Sequence, residues 1–450
     1  AALTVALVAS SSSGAQAAPT DSAIRAWLDV RGQNGHLAAG VVGILDGGRE
    51  RYVSYGRSNF GTTPLVDADA VFEIGSVTKV FTNVLLADMV LRGDVSLDDP
   101  VAKFLPATVK VPTRGGKEIT LLDLATASSG LPRLPGNLAP KDNTNPYADY
   151  SVQQMYDFLS SYTLTRDIGS RYEYSNLGMG LLGHALALRA GKPYEALLIE
   201  RVLAPLGMKD TRITLTTSMQ QRFVTGHDGD MEPVPAWDLP TLAGAGALRS
   251  TARDMLRFGR AVSAARSGKG PLARAFTLSM APRRPTASPT MRIALGWHVR
   301  TTNGRTITWH NGGTGGFRSF FGIDSASDMV SVVLTNGGDS SDEIGVRVLD
   351  PAAPLRTITP RPDVVVAEGT LEGYVGSYRV TPAMTIEVTR TGGKLFMQPT
   401  AQPRLRLWAT GESAFEVRVV PVKVGFERDA AGVITMVLEQ GGNTTRATKE

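Results

Sequence analysis

The chain has 450 residues, too many for one ordinary hydrophobic core, and its 42% hydrophobic and 20% charged content is that of a globular protein. Its formal net charge is +5, yet acids and bases are interspersed and no basic run alternates with aromatics, which argues against nucleic-acid binding. The absence of cysteine excludes a disulfide framework, a cysteine nucleophile and cysteine-based zinc sites, and leaves the redox compartment open.

Residues 1–9 are small and apolar, a Ser-rich stretch follows, and Ala15-Gln16-Ala17 has the small-x-small form of an export cleavage site. Residues 1–18 therefore read as the remnant of a signal peptide, and the protein as exported, periplasmic or secreted. No other run of about 18 apolar residues occurs, so no membrane span is expected in the mature protein. Residues 20–31 read as a first helix on Ile24, Trp27, Leu28 and Val30. Residues 40–45 and 51–55 flank Asp46-Gly47-Gly48, a hairpin signal. Val77, Val80, Phe81, Val84, Leu85 and Met89 recur at helical spacing, so Ser76 is expected to open a largely buried helix that stops near Arg92-Gly93.

Residues 94–105 read as a loop into a short helix, and 119–127 as a helix broken by Ser128-Ser129-Gly130-Leu131-Pro132. Residues 135–149 read as a long polar loop at the rim of a cleft. Ser151 is expected to cap a helix to Tyr162, and 177–189 to form a second buried helix. Pro193 is expected at the first position of a third helix running to Leu206, and Thr251 with Asp254 in a capping box. Strands are expected at 295–301, 306–310, 317–323 and 329–335. Strands at both ends with helices between predict a mixed α/β (α+β) fold, its one antiparallel sheet built from both ends. Four prolines among residues 351–362 place a linker at 351–363. Beyond it, short alternating runs broken by turn residues predict a small β-barrel over 364–446 that carries no chemistry.

Three features in order point to chemistry. Ser76 and Lys79 are spaced i, i+3, so the hydroxyl and the amine share one helix face. A serine is a weak nucleophile that needs a base within reach, and a lysine serves if burial disfavours its charged form. The N–H groups of the first turn are free to hold an oxyanion. Tyr174-Ser175-Asn176 sits just before an apolar helix, where a loop presents a phenol for proton transfer and an amide that binds a substrate carbonyl and a lysine at once. A phenol near a lysine ammonium is expected to ionise more easily. Finally, a strand runs into His310-Asn311-Gly312-Gly313, whose glycines let a substrate backbone approach. The N–H of Gly313 is the expected second oxyanion donor beside that of Ser76. The segment after it reads as a strand, against a phosphate loop.

Ser76-Val77-Thr78-Lys79, Tyr174-Ser175-Asn176 and His310-Asn311-Gly312, in that order and spacing, resemble the three motifs of class C β-lactamases and related penicillin-binding proteins. The likeness extends to FEIGSVTKVFTNVLLADMVLRGDVSLDDPVAKFLP, ITLLDLATASSGLP, RVLAPLGMKDT and GGTGGF, and covers about residues 23–336. The resemblance implies a serine hydrolase domain over 19–350, an antiparallel sheet flanked by helices with an all-helical insertion, and no metal or other cofactor. It implies Ser76 as the acylated nucleophile, Lys79 as its partner, Tyr174 as the proton shuttle and Asn176 as a ligand of the substrate amide. The tail is similar to the lipocalin-like barrels appended to some D-amino-acid peptidases and esterases of this superfamily.

One departure bears on substrate. Where class C β-lactamases have Lys-Thr-Gly, this chain has His310-Asn311-Gly312, so a permanent charge for a β-lactam carboxylate is missing. Arg318 reads either as a replacement carboxylate contact or as a solvated strand residue. His36, His184, His227 and His298 read as structural or exposed, and no Gly-x-Ser-x-Gly surrounds Ser76. The expected function is an acyl-enzyme hydrolase of β-lactams or related D-amino-acid peptides. The alternatives are a short-chain carboxylesterase and a penicillin-binding sensor that does not turn over.

Overall fold

The apolar runs at the two ends of residues 19–350 find each other. The computed structural model describes residues 18–57, 65–302, 304–358, 364–382, 384–402, 404–418 and 420–450, so most of the expected signal remnant and the end of the linker lie outside the described residues. Ala39–Asp46 runs antiparallel to Val330–Thr335 in the register Gly40↔Thr335 to Leu45↔Val330. The sheet holds eight strands in the order Arg49–Gly56, Ala39–Asp46, Val330–Thr335, Arg318–Asp324, Arg305–Gly313, His298–Thr302, Met291–Ile293 and Arg284–Pro285. Gly47 and Gly48 both take left-handed φ, 53° and 79°, as the two-residue turn between the first two of these strands requires.

Neighbouring side chains on the central strands enter different cores. Val41, Phe321, Val332 and Leu334 pack with the Ser76 helix. Val42, Phe320 and Val333 pack instead with Ile24 and Leu28 of the helix Asp21–Gln33 and with Ile344 and Val348 of Asp342–Leu349. Both faces are covered, so these strands are apolar throughout and show little alternation. The helical region leaves and returns through a small antiparallel pair, Val71–Glu73 with Arg249–Thr251. Between them lie the helices Thr78–Leu91, Leu121–Ala125, Val152–Ser161, Asn176–Ala190 and Tyr194–Leu198, among others.

Several local features differ from expectation. Ser76 lies in a short 3₁₀ turn, Gly75–Val77, and the α-helix begins at Thr78. Pro193 has ψ 142° and is the cap of Tyr194–Leu198 instead of its first residue, and the helix continues as a π segment over Ile199–Leu203. Thr251 accepts from the Asp254 N–H, but the Asp254 carboxylate accepts from the Asp210 N–H and the Thr211 hydroxyl. The strand expected from residue 295 starts at His298, because the Leu295 and Gly296 N–H groups donate to Ser279 and Ala125 of neighbouring helices. The strand expected to stop at His310 continues to Gly313, paired with Arg318.

The tail is a closed barrel of eight antiparallel strands, from Gly376–Thr381 to Asn443–Lys449, closed by the pairs Tyr378↔Lys449 and Arg379↔Thr448. Its interior is a separate core of Tyr378, Ile386, Val388, Met397, Phe415, Phe426 and Met436, covered by Leu371 and Tyr374 of the helix Glu368–Tyr374. Tyr374 stacks on Phe426 with ring centroids 4.2 Å apart.

Candidate active site

The helix Thr78–Leu91 is buried on every side over most of its length, which carries Lys79 inside the domain with only 2% of its surface exposed. Three oxygens surround the Lys79 Nζ: Ser76 Oγ at 2.8 Å, Asn176 Oδ1 at 2.9 Å and the Ala245 carbonyl at 2.6 Å. Burial pushes this amine well below the usual lysine range, and the Arg133 charge pushes it the same way. A neutral amine fits the three partners. Its two N–H groups go to the amide oxygen and the carbonyl, which only accept, and its lone pair faces the one partner able to donate, the Ser76 hydroxyl.

The backbone beside Ser76 is pressed against the edge of the sheet. Gly75 has φ +46°, and a methyl group there would lie 2.8 Å from Gly313 N. A methyl on Gly312 would lie 2.1 Å from the Ile74 carbonyl and 2.9 Å from Ser76 N. Neither position admits a side chain, and the two contacts bring the peptide units of Ser76 and Gly313 to one place. The two N–H groups expected as oxyanion donors are therefore backbone neighbours. The Ser319 hydroxyl fastens the same junction by donating to Ile74 O at 2.7 Å.

Tyr174 enters on a turn held by backbone bonds from Glu173 N to Ala127 O and from Asn176 N to Arg133 O. Ser175 caps the following helix through Gly178 N and donates to Pro132 O at 2.6 Å. The Tyr174 ring lies under Lys79, 4.8 Å from Nζ to the ring centre, and its hydroxyl bonds Ser76. Desolvation pushes the phenol above its ordinary value, outweighing the Ser76 bond. The expectation of an easily ionised phenol is corrected here, because burial disfavours the phenolate. The Tyr174 phenol therefore holds its proton more firmly than an ordinary tyrosine.

His310 is 2% exposed and sits beneath the cavity wall. Its Nδ1 lies 2.6 Å from the Asn311 carbonyl, which can only accept, so Nδ1 carries the proton. Its ring stacks on His298, 5.0 Å away, a residue expected to have no part in the site. His298 lies opposite Trp309 in the strand pair, faces the cavity, and bonds the Tyr172 hydroxyl at 3.1 Å. Burial pushes His298 down to about 4 and His310 well below its ordinary value; Lys79 adds to both shifts, and His298 adds to that of His310. Both imidazoles are neutral at physiological pH. Asn311 donates through Nδ2 to Asp342 at 2.6 Å.

These groups surround a cavity of about 490 Å³ lined by Ser76, Tyr174, Asn176, Asn311, Gly312, Gly313 and Arg318 from the sequence-derived set. Arg318 is folded back on its own turn, with Nη1 2.7 Å from both the Thr314 and Phe317 carbonyls. Arg133, Tyr147, Trp237, His298, Ser340 and Asp342 also line the cavity and were missed. Arg133 lies 5.0 Å over the Tyr174 ring, placed there by a Pro-containing break that its own side chain does nothing to advertise. Among the described residues no group of acids and histidines could hold a metal ion, and no helix is long and apolar enough to cross a membrane.

The beta-lactamase family profile matches residues 24–350, and that of a domain of unknown function, DUF3471, matches residues 360–445. Over 216 residues, 48% of this chain, the sequence is 36% identical to the D-alanyl-D-alanine-carboxypeptidase/endopeptidase AmpH of Escherichia coli strain K12, and the match spans about half, 54%, of that relative's length. A class C beta-lactamase from Rhodobacter sphaeroides aligns with a TM-score of 0.60 at 27% identity, over 72% of this chain and 96% of that one. A beta-lactamase/D-alanine carboxypeptidase from Yersinia pestis shares the fold, with a TM-score of 0.64 at 24% identity over 74% of this chain and 99% of its own. With the profile covering most of its length and the buried serine–lysine pair inside the matched region, the chain belongs to the beta-lactamase family.

Proposed function

We propose that the protein is an exported serine hydrolase that opens β-lactam amides or related D-amino-acid peptide bonds through an acyl-enzyme on Ser76. The observation that carries this reading is the buried Lys79 amine, bound to two pure acceptors and facing the Ser76 hydroxyl. Lys79 takes the proton as Ser76 Oγ attacks the substrate carbonyl. The resulting oxyanion sits between the N–H groups of Ser76 and Gly313, and Asn176 holds the amide on the substrate's acyl side. The proton passes by way of the Tyr174 hydroxyl to the leaving nitrogen, the C–N bond breaks, and water later cleaves the ester to return Ser76. The export part of the reading rests on Ala15-Gln16-Ala17.

A short-chain ester is the second reading, and His310 favours it: a neutral imidazole in the third motif offers no fixed charge to a substrate carboxylate. The test is intact-mass spectrometry and peptide mapping after exposure to a penicillin. The adduct is expected on the peptide carrying Ser76 and is expected to vanish in Ser76→Ala; labelling of another serine would end the mechanism. Comparing kcat/KM for nitrocefin, a p-nitrophenyl ester and a D-alanyl p-nitroanilide then separates the substrate classes, and one equivalent of product without turnover would indicate a sensor.

A further inference from the structure

The barrel's inside is apolar, but one stretch of its outside carries a cation–aromatic stack. The Arg406 and Arg418 guanidinium carbons lie 3.5 and 3.8 Å from the centre of the Trp408 ring. This stack faces the larger domain at two loops. At the first, Arg418 Nη1 donates to Asn34 O at 2.6 Å, and a methyl on Gly35 would lie 2.9 Å from the Trp408 ring. At the second, Arg406 donates through its backbone N to Asp230 Oδ2 at 3.3 Å and through Nη1 to Asp230 O at 3.2 Å, while Lys394 pairs with Glu232 at 2.8 Å.

Both loops lead to the cavity wall. The second loop is the turn of a small hairpin, Gly226–His227 with Pro233–Val234. The His227 N–H donates to Gly316 O, and a methyl on Gly316 would lie 2.6 Å from Gly226 Cα, so the hairpin base rests on the turn that follows Gly313. The same loop touches Gly338, where a methyl would lie 2.7 Å from Gly229 Cα. The first loop continues into His36, whose carbonyl would lie 2.4 Å from a methyl on Gly337 and whose ring is 3.5 Å from Asp339. Residues 337–339 run directly into Ser340 and Asp342, which line the cavity. Little slack separates barrel from site along either route, because each route includes close glycine contacts, at Gly35 and Gly337 on the first and at Gly316 and Gly338 on the second.

We propose that the barrel is a positioning element for the acyl-transfer site, docked through Lys394, Arg406, Trp408 and Arg418 so as to hold the turn after Gly313 and the wall carrying Ser340 and Asp342. This rests on the acyl-transfer reading and assigns the barrel a part in the same reaction. Small displacements of catalytic groups cost rate steeply, so loss of the dock acts on the acylation step even though no barrel atom meets the substrate.

The test uses the full chain and the rate of acylation by nitrocefin. Trp408→Ala removes the centre of the stack, Trp408→Phe keeps an aromatic face for both guanidinium groups, and Lys394→Glu turns the ion pair with Glu232 into a repulsion at a half-buried position. Trp408→Ala and Lys394→Glu are expected to slow acylation about tenfold, with the unfolding midpoint of the larger domain unmoved and Trp408→Phe near wild type. Wild-type rates in both disrupting variants would overturn the proposal, as would a Trp408→Phe variant as slow as Trp408→Ala. A wild-type protein that nitrocefin does not acylate at all would instead overturn the acyl-transfer reading, and the barrel's role with it.

Discussion

Around Ser76 the larger domain buries an amine and two imidazoles, while the barrel interior holds Ile386, Val388, Met397, Phe415 and Phe426 and satisfies its buried Tyr378 hydroxyl on the nearby Tyr374 carbonyl. Burial lowers the proton affinity of every group in the first set, because each neutral form is preferred when water is removed. In the second set, the Tyr378 phenol aside, burial contributes only to stability. Substitutions beside Ser76 are therefore expected to change rates and pH dependence, and substitutions inside the barrel to change unfolding.

The largest effect expected is that of Lys79→Ala, which removes the base and lowers the acylation rate by about 10²–10⁴. A rate within tenfold of wild type would move the base elsewhere and break the contrast on its catalytic side. Phe426→Ala tests the other side. Deleting a ring packed on Tyr374, Tyr378 and Phe415 is expected to cost about 3–5 kcal/mol, read as a shift in one calorimetric transition while that of the larger domain stays in place. A single transition moving as a whole would show that the two cores unfold together. A smaller effect sharpens the comparison through pH. His298 and His310 take up protons less readily when folded than when unfolded, so their contribution to stability is full above the ordinary value of 6.5 and is lost as pH falls, for His298 toward about 4. The unfolding midpoint of the larger domain is expected to drop through that window, and His298→Asn to reduce the drop. The smallest effect is expected at Arg318→Ala, about tenfold in kcat/KM for nitrocefin relative to a neutral ester, or about 1.4 kcal/mol for one charge-assisted contact. Equal losses on both substrates would leave Arg318 as a brace for its own turn.

The sheet and the serine–lysine pair were legible in the sequence because each rests on local pattern. Strand runs such as 329–335 are continuous and apolar, and Ser76 with Lys79 opens an equally apolar helix. Less legible were features set by tertiary partners. The last barrel strand, Asn443–Lys449, is polar at every position but Ala447, the one residue of the strand that is buried. The helix Asp342–Leu349 has a usable apolar stripe, but its value to the site lies in Asp342 meeting Asn311, a contact between residues 31 apart in sequence. Arg133 and His298 are isolated residues whose roles appear only when a loop and a neighbouring strand bring them to Tyr174 and His310. Gly312 and Gly313 were read as room for a substrate backbone, whereas the close approach seen there is of the chain's own backbone at Ile74, Gly75 and Ser76, of which Gly75 carried no motif of its own.

The central claim is that Lys79 is neutral in the folded protein and takes the proton of Ser76, and the pH dependence of the acylation rate tests it most directly. Lys79 holds its proton only below a value well under the ordinary 10.5, and Tyr174 keeps its own above the ordinary 10.0. The rate is therefore expected to reach its plateau at a pH well below 10.5 and to fall only below that as Lys79 becomes protonated, with a second fall in alkali above 10.0 as Tyr174 ionises. An acylation rate that instead climbs steadily from pH 6 to 10.5, following an ordinary ammonium, would contradict the account.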